Sequence, residues 1–520
     1  MAKKEVGEHS KVFVRQSTGL VKNASFLDAI SLNISDMSAG AALATIGFTT
    51  VLLSSMAGVN LVVASLIAFL LMVPQLVIYT VMNRKVPRTG GDYVWISRIF
   101  GGLFGGSLAF MGYVLETLAY LALIAISTVF AIGSVGVALG NMSFLGLALS
   151  GNMKGSAPLL QFIIAAVLFA ILILVNIVKP KAGYKLVSSL IIFGILMVVV
   201  SIAVLLFAGR AGVESYVTSL QASGFNETYS QVAASSGSTK LNLSAVLFLL
   251  PFFSIFVYPW INASPAVSSE IRGKKGIRWA IPAAALLVAL LVTGSFGAMY
   301  YVGGIKFING ALSNPTLVYD YSFNFWTLAM GVTSAYWLKF VIGIGWIAWD
   351  IAILAYGIIV FSRYLFAMAF DRFLPEKLAY VSPRFGSPVN AHLLDLAITV
   401  ALIALATFIY GPFSSLYGAV VASMIYFAFI GIAAAAYGLR YEKATSKGTL
   451  VLFGALTALV FAYITYQFLA YPAIWGGNAL AYGYVALSFI AGIIVYFVDK
   501  RRNLKKGINI DLAFKEIPPE

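Results

Sequence analysis

The chain has 520 residues, of which 61% are hydrophobic and only 10% are charged. A typical soluble domain carries about 25% charged residues, so this composition excludes a soluble globular protein and indicates a helical protein that crosses a membrane many times. The chain contains no cysteine, which excludes disulfides, thiolate metal sites and cysteine nucleophiles. Its two histidines are far apart in sequence, which argues against haem and zinc clusters.

Twelve apolar runs follow one another along the chain. Each has about 20 residues or more, the length that crosses roughly 30 Å of hydrocarbon. The predicted crossings lie near residues 26–54, 59–82, 100–133, 160–178, 186–208, 243–268, 278–303, 337–362, 391–410, 414–438, 449–471 and 479–498.

The net charge of +15 is distributed unevenly between the two sides of these crossings. With the N-terminus placed inside, 29 of the 34 Lys and Arg residues fall on the inner side. This excess predicts that both termini are cytoplasmic, in the plasma membrane of the cell. The basic charge is therefore a topology signal with weak attraction to anionic lipid, and no nucleic-acid partner is expected. The five outer residues are Lys154, Arg210, Lys240, Lys306 and Lys339.

Two of the predicted crossings are interrupted near their middle by residues that disfavour a continuous helix. The first contains NISDMSAG (33–40), and the sixth contains FVYPWINASPAVSSE (256–270), whose prolines remove backbone donors. Unwound backbone at membrane depth is tolerated only where it is buried in protein or lines a wet cavity. Interrupted segments at matching positions of two halves are typical of a transporter's binding site. The pattern predicts repeats of crossings 1–5 and 6–10; two kinked helices without function are the alternative.

Three segments at the predicted inner ends of the crossings resemble one transporter family. PRTGGDYVWISRIFGG (87–102) is similar to the loop between helices two and three of the amino acid–polyamine–organocation (APC) transporter superfamily. FSRYLFAMAFDRFLPEKLAYVSPRFGSPVNA (361–391) resembles its segment after helix eight, and SSEIRGKKGIRWAIP (268–282) resembles its Glu-bearing end of helix six. The resemblance covers about residues 20–500.

The resemblance implies an all-α polytopic membrane protein with a LeuT-like 5+5 inverted-repeat fold and 12 transmembrane helices, of which helices 1 and 6 are broken. It implies secondary active transport of amino acids or related amines at a site between helices 1, 3, 6, 8 and 10. In the family, amides of the helix-one break hold a substrate carboxylate, and carbonyls of both breaks hold its amine. The expected divisions are a cytoplasmic N-terminal segment at 1–24, repeats at 25–208 and 243–440, helices 11 and 12 at 449–498, and a cytoplasmic C-terminal tail at 499–520.

The sequence departs from the family pattern at three places that bear on substrate and coupling. The usual Gly-x-Gly of helix one is Ser38-Ala39-Gly40, and Trp260 stands where helix six usually has glycine. Some members carry a lysine in helix five in place of a sodium ion, whereas apolar residues align there in this chain.

Asp36 lies at the middle of the first interrupted crossing, where a carboxylate costs roughly 2.5–3.5 kcal/mol on insertion scales. Three interpretations are open. Asp36 pairs with a substrate ammonium, or it carries the coupling proton because a low dielectric favours the neutral acid. Alternatively, it accepts backbone N–H bonds as a cap of the helix that follows the break.

The other substrate-site candidates frame the two breaks. On helix one, small residues leave amides open to a carboxylate at the positive end of a helix dipole; close packing of small residues between helices is the alternative. On helix six, Trp260 fills volume, which favours a small or flat substrate or an aromatic gate; a buried aromatic packed against helix one is the alternative. The candidates are Ser35, Asp36, Met37, Ser38, Ala39 and Gly40 on helix one, and Tyr258, Trp260, Ile261 and Asn262 on helix six.

Two further carboxyls lie within predicted crossings. Glu116 shares a face of helix three with Tyr113 and Tyr120, at i, i+3, i+7 spacing, which favours a cationic substrate or a proton relay. Asp350 in helix eight has no Ser or Thr beside it, so it fits a proton better than sodium. An interhelical hydrogen bond is the alternative for each. We therefore predict a proton as the coupling ion, with sodium less favoured and no metal or other cofactor.

Four charged residues are predicted to form an inner gate of ion pairs that breaks when the carrier opens inward. The alternative is solvated loop charges, because an exposed ion pair contributes little. These residues are Glu270, Arg272, Arg363 and Asp371.

The function that the sequence favours is proton-coupled import of amino acids by alternating access, with a small-molecule substrate and membrane lipid as partners. A polyamine or other organic cation, or exchange of substrates, is the rival because three carboxylates lie at membrane depth. A sensor that binds amino acids without transporting them is the alternative of another class. An enzyme is not favoured, because the chain shows no nucleophile with a base, no metal cluster and no cofactor motif.

Overall fold

The computed structural model describes residues 19–53, 56–149, 154–410 and 418–518. These residues are almost entirely helical, and the β-contact among them is one isolated parallel bridge between Ala24 and Ile271. The predicted N-terminal segment falls mostly on residues 1–18, which lie outside the described residues, as do the last two residues of the predicted tail. The all-helical architecture predicted from the composition is confirmed within the described ranges.

Ten helices of the described part are long and apolar enough to cross a membrane, and they correspond to ten of the predicted crossings. The shortest of them has 21 residues, which at about 1.5 Å per residue spans about 30 Å. The ten are α3–α6, α9 and α12–α16. The main helices, in chain order, are α1 (Phe26–Asp36), α2 (Ala39–Thr50), α3 (Leu61–Lys85), α4 (Gly91–Ala138), α5 (Pro158–Val178), α6 (Pro180–Ala222), α7 (Leu243–Phe256), α8 (Ala263–Ala266), α9 (Gly273–Gly303), α10 (Ile305–Ser313), α11 (Phe325–Gly331), α12 (Tyr336–Phe370), α13 (Val389–Ile409), α14 (Val421–Tyr441), α15 (Thr445–Ala470) and α16 (Ala479–Leu504).

The two interrupted crossings are pairs of shorter helices. α1 ends at Asp36, and α2 begins at Ala39 after Ser38 adopts a left-handed conformation with φ 48°. α7 ends at Phe256, and the backbone is non-helical up to the short helix α8, which begins at Ala263. The interruptions thus fall where the polar and proline residues predicted them.

Local signals set the ends of several long helices. Ser25 and Asp28 form a capping box at the start of α1. Pro158 and Pro180 open α5 and α6 from the first turn, where a missing N–H costs nothing. α6 is kinked at Gly209 (φ 58°), so that its last turns diverge from the crossing predicted to end at 208.

The helices sort into an interior and a lipid-facing periphery. Trp349 and Tyr364 on the central helix α12 are completely buried. In contrast, Leu459 on α15 and Leu487 on α16 are 67% and 66% exposed, as expected where lipid is the solvent for apolar side chains.

Two short helices that the sequence analysis did not predict cover the predicted outer end of the molecule. They are α10 and α11, in the connection between α9 and α12. The Thr50 hydroxyl at the end of α2 donates to the Leu312 carbonyl of α10 at 2.6 Å, and the Asn309 amide of α10 donates to the Val59 carbonyl at 3.0 Å. The connection is therefore packed onto the ends of α2 and α3.

The segment after α16 returns to the predicted inner end of α4. A 3₁₀ turn at Ile510–Lys515 places the Phe514 ring against Gly102, where a Cβ atom would lie 2.2 Å from the ring. The Arg98 guanidinium lies 5.6 Å from the Phe514 ring centroid and donates to the Glu516 carbonyl at 3.0 Å. The predicted tail is therefore docked over residues 510–518.

Candidate functional site

The two helix interruptions are joined to each other by hydrogen bonds. The Ala263 amide at the start of α8 donates to Asp36 Oδ2 at 2.9 Å. The Ser264 amide donates to Asn33 Oδ1 at 2.9 Å, and Asn33 Nδ2 returns a bond to Ser264 Oγ at 2.8 Å. The first amides of a helix lack internal partners, and Asp and Asn are good acceptors for them. The end of α1 therefore caps α8.

Asp36 also connects these breaks to the central helix α12. Its Oδ1 accepts a hydrogen bond from the Tyr356 hydroxyl at 2.7 Å, and the side chain is 1% exposed. The cap considered from the sequence was one on the helix that follows Asp36 in the chain. The structure instead shows a cap on the sixth crossing, because that helix start lies beside the end of α1.

The Ser38 hydroxyl interacts with backbone carbonyls at the first break. Its hydroxyl lies 3.0 Å from the Asp36 carbonyl and 3.2 Å from the Ser35 carbonyl, and it contacts the Tyr120 hydroxyl at 3.1 Å. Met37 is buried with its amide bonded to the Asn33 carbonyl. The Ser35 hydroxyl is buried without a hydrogen-bond partner in the described residues.

The first turn of α2 has backbone amides without an acceptor and is also closely packed against neighbouring helices. The amides of Ala39, Gly40 and Ala41 make no hydrogen bond among the described residues. A Cβ atom at Gly40 would lie 2.3 Å from Trp349 Cγ, and the Gly40 carbonyl accepts from Trp326 Nε1 of α11 at 3.0 Å. The glycine is thus required by helix packing, while the amides of this turn are available to an acceptor.

Trp260 fills the space beside the second break. Its indole Nε1 donates to the Ile255 carbonyl at 2.7 Å. Its ring stacks on Tyr120 of α4, with centroids 5.7 Å apart, and meets Phe427 of α14 edge-on. Trp260 is thus a buried aromatic whose ring partners belong to α4 and α14.

The other candidates of the sixth crossing point in different directions. The Tyr258 hydroxyl lies 2.6 Å from Ser65 Oγ on α3, away from α4. Asn262 Nδ2 donates to the Tyr364 hydroxyl at 3.2 Å, while Asn262 Oδ1 is buried without a partner in the described residues. Ile261 is buried.

Glu116 lies on α4 directly after a π-helical stretch, Phe110–Leu115, which shifts the register of the helix. Its carboxyl is 2% exposed, and neither oxygen has a hydrogen bond within the described residues. The Ser423 hydroxyl lies near it but donates to the Gly112 carbonyl at 2.7 Å. Ser423 belongs to the neighbouring helix α14, so the alternative of an interhelical hydrogen bond to Glu116 stays open.

Asp350 is the second buried carboxyl without a donor. It is completely buried on α12, and neither oxygen has a partner in the described part of the chain. Tyr120 lies within electrostatic range of Asp36, Glu116 and Asp350 alike. The three predicted carboxyls thus all interact electrostatically with one tyrosine.

At the predicted inner end, Glu270 and Arg363 form a buried ion pair. The distances are 2.7 Å from Arg363 Nε to Glu270 Oε1 and 2.9 Å from Nη2 to Oε2, and both side chains are 1% exposed. The Tyr184 hydroxyl donates to the same carboxylate at 3.1 Å. These two residues are therefore not solvated loop charges.

The other two predicted gate residues have different partners. Asp371 pairs with Arg98, whose Nη2 lies 2.8 Å from Asp371 Oδ1, and it accepts from the Tyr93 hydroxyl at 2.9 Å. The Arg272 guanidinium donates to the Lys22 carbonyl at 2.8 Å. The residues predicted to form a single network thus form two separate ion pairs, and Arg272 belongs to neither. The sequence did not indicate Arg98, because its partner Asp371 is 273 positions away.

Asp92 is a fourth buried carboxyl, which the sequence analysis left within a loop motif. It is completely buried in the first turn of α4. The Tyr79 hydroxyl of α3 donates to its Oδ2 at 2.5 Å, and the Tyr364 hydroxyl of α12 donates to its Oδ1. The signal that marks it is an acidic residue directly after Gly90-Gly91 at the start of a crossing.

Comparison with known proteins gives two matches. The model of the family described as amino acid permease matches residues 25–505. A protein of Sulfolobus islandicus rod-shaped virus 1, named uncharacterized protein 399, is 26% identical over 265 residues. That match covers 50% of this chain and spans about half, 52%, of the viral protein.

Proposed function

Because the chain belongs to the amino acid permease family of APC transporters, we propose that it imports amino acids across the plasma membrane by proton-coupled alternating access. One observation carries the proposal. Three buried carboxyls interact electrostatically with Tyr120, beside two interrupted helices of which the first caps the second. Buried ionisable groups inside a membrane protein typically mark substrate or proton pathways.

The substrate carboxylate is assigned to the first turn of α2. Three successive amides there have no acceptor among the described residues, and the positive end of a 12-residue helix favours an anion. The site residues are those of the two breaks, with Tyr113 and Glu116 on the opposite wall. Trp260 limits the volume between the breaks and α4, which favours a small or flat side chain on the substrate.

The coupling proton is assigned to Glu116 or Asp350, with Asp36 as the structural carboxylate between the breaks. Asp36 is stabilised by two hydrogen bonds. The carboxyl oxygens of Glu116 and Asp350 make no hydrogen bond of good geometry within the described residues, and a poorly paired ionised group in a low-dielectric interior is costly. A neutral, protonated acid fits those positions. Sodium is less favoured because it requires several oxygen ligands.

The proposed architecture is a LeuT-like pair of inverted repeats. In it, a bundle (α1–α3 with α7–α9) rocks against a scaffold (α4, α5, α12 and α13) around a fixed midplane site. The Glu270–Arg363 pair then connects the bundle to the scaffold, whereas Arg98–Asp371 lies within the scaffold. We assign these pairs to the cytoplasmic end because the Lys and Arg residues concentrate there.

Uptake into proteoliposomes tests the proposal. A panel of amino acids and polyamines is offered with an inward proton gradient, with and without sodium, and again after an ionophore has collapsed the gradient. We expect a zwitterionic amino acid to accumulate only while the gradient lasts, without a sodium requirement. Glu116→Gln and Asp350→Asn are expected to reduce that accumulation.

The rival functions give different results in the same assay. Uptake of cationic amines alone contradicts amino acid import and points to an organic-cation carrier in which the buried carboxylates are ionised. Thermal stabilisation by an amino acid without any flux contradicts transport and points to a sensor.

A further inference from the structure

Asp92 lies where the proposed moving bundle meets the scaffold. It stands in the first turn of α4, and its two hydrogen-bond donors come from opposite parts: Tyr79 from α3 of the bundle and Tyr364 from α12 of the scaffold. This turn packs closely against helix α8. The Gly90 amide donates to the Ala266 carbonyl at 2.9 Å, and a Cβ atom at Gly91 would lie 2.8 Å from the Pro265 carbonyl carbon.

The surroundings of Asp92 contain hydroxyls and one other carboxyl but no cation. Tyr79 on α3, Tyr364 on α12, Tyr426 on α14 and Tyr113 on α4 itself face it, and Asp36 interacts with it electrostatically. Helix α8, which packs against the same turn, has no titratable residue. No Lys or Arg of the described residues forms an ion pair with Asp92, so its charge is not neutralised by a partner.

A row of tyrosines connects Asp92 to the midplane carboxyls. Tyr113 lies within electrostatic range of Asp36, Asp92 and Glu116, and its ring stacks on Tyr364 with centroids 3.6 Å apart. Tyr364 in turn donates to Asp92. Tyr113 and Tyr364 thus link Asp92 to the surroundings of Asp36 and Glu116, and Tyr364 directly follows Arg363 of the Glu270–Arg363 pair.

The charge on Asp92 affects its hydrogen bond with Tyr79, which closes the end of the molecule that carries the Glu270–Arg363 pair. An ionised carboxylate accepts bonds from both tyrosines, whereas a protonated one carries an O–H donor and loses acceptor capacity. Protonation therefore weakens one of the two bonds, and the Tyr79 bond is the one that spans bundle and scaffold. Loss of the proton restores it.

Resting on the proposed function, we propose that Asp92 is a further coupling residue: it receives the transported proton on the cytoplasmic side and, while protonated, releases the Tyr79 contact so that this end opens. In the transfer, one O–H bond breaks on Glu116 and one forms on Asp92. Asp92 then gives the proton to cytoplasmic water, and the restored carboxylate closes the end again.

The test uses Asp92→Asn, in which the side chain keeps its size but is always uncharged. It separates proton coupling from the movement of substrate. We expect this variant to exchange labelled substrate across proteoliposomes without a gradient. We expect it to lose gradient-driven accumulation and the pH dependence of uptake. Asp499→Asn, a carboxyl near the end of α16 outside this group of residues, is the matched control and should behave as wild type.

Site-specific labelling provides a second readout, because the chain has no cysteine. Ser269 lies at the same end and contacts Thr89 through its hydroxyl. Because maleimide attacks the thiolate, the labelling rate in a Ser269→Cys background is divided by the rate of the unfolded protein at the same pH. We expect this ratio to rise as the pH falls with Asp92 present. The ratio should be high and independent of pH with Asp92→Asn or Tyr79→Phe.

The outcomes distinguish this inference from the proposed function. Absence of gradient-driven uptake in the wild type contradicts the proposed function itself. Gradient-driven accumulation by Asp92→Asn with the wild-type pH profile overturns only the role of Asp92. If Asp92→Asn loses both substrate exchange and accumulation while its unfolding temperature is unchanged, the proposed role of Asp92 is also overturned. Asp92 would then be required for the transport cycle itself. If Asp92→Asn does not fold, unchanged pH-dependent labelling in Tyr79→Phe overturns the proposed coupling.

Discussion

At Gly40, a hydrogen atom in place of a side chain sets how closely α2 approaches α12. The Trp349 ring lies where a Cβ atom would be, and Trp326 bonds the Gly40 carbonyl from the other side. The glycine thus serves packing, while the same turn presents the amides assigned to the substrate carboxylate. Packing and binding are therefore linked at one residue.

Gly40→Ala is expected to destabilise the protein and reduce uptake. The methyl group overlaps Trp349 and forces a shift in the first turn of α2, at a cost of about 1–3 kcal/mol. Thermal unfolding in detergent and substrate uptake measure the two effects. Gly483→Ala on α16, where nothing lies within 4 Å of the added Cβ, is the control. Equal stability of the two variants would contradict the assigned packing role.

The sequence predicts the role of a residue only where the signal lies in neighbouring residues of the chain. Asp36 was found because a carboxylate in an apolar run is conspicuous. Its partner, the Ala263 amide, is 227 positions away, and no local pattern reports such a contact. Trp260 shows the same limit: its burial was expected, but its neighbours Tyr120 and Phe427 depend on how the helices pack.

At the scale of elements, helices were predicted where hydrocarbon thickness dictates them and missed where it does not. All ten long apolar helices correspond to predicted crossings because each contains an apolar run long enough to cross a bilayer. α10 and α11 were missed because short helices at the membrane surface are stabilised by contacts such as Trp326 with α2. The start of α4 was placed too late because its first turns carry Asp92 and Arg98 among apolar residues.

The two buried ion pairs are expected to respond differently to substitution. Glu270→Gln leaves the Arg363 charge buried and unpaired, which costs about 3–5 kcal/mol, and it also removes a contact between the proposed bundle and the proposed scaffold. We therefore expect lower stability together with greater labelling of a cysteine at Ser269. Asp371→Asn should lower stability without changing the labelling, because we assign Arg98 and Asp371 both to the proposed scaffold.

The control for both is an exposed pair at the same end. Glu376 is 62% exposed and bonds Arg372 at 3.1 Å, so Glu376→Gln should change stability by only about 0.5 kcal/mol or less. Equal labelling of the Glu270→Gln and Asp371→Asn variants would contradict the assignment of the two pairs to different parts of the carrier.

At the scale of the whole molecule, the last described residues join the start of α4 to the end of α16. Phe514 covers Gly102, while Lys500 of α16 pairs with Asp511 at 2.6 Å. Arg98, which contacts the Phe514 ring, is also the partner of Asp371. The C-terminal segment thus packs on the start of α4 and, through Arg98, is connected to Asp371 at the end of α12.

Phe514→Ala is expected to release this segment. Removing the ring exposes Gly102 and eliminates the contact with the Arg98 guanidinium, so the amides of residues 508–518 should exchange hydrogen faster. Hydrogen-exchange mass spectrometry measures the change, and Lys515→Ala, which alters an exposed neighbour, is the control. Unchanged exchange in Phe514→Ala would show that the backbone bonds alone hold the segment.

The bond between Asp36 and Ala263 also has a consequence for biosynthesis. At a synthesis rate of about 5–20 residues per second, roughly 10–45 s separate the translation of the two residues. During that interval, the first crossing enters the membrane with a carboxyl whose main-chain partner does not yet exist. Without that partner, the carboxyl costs the first crossing roughly 2.5–3.5 kcal/mol at mid-membrane. Completion of the sixth crossing is therefore the earliest moment at which the Ala263 amide can offset this cost.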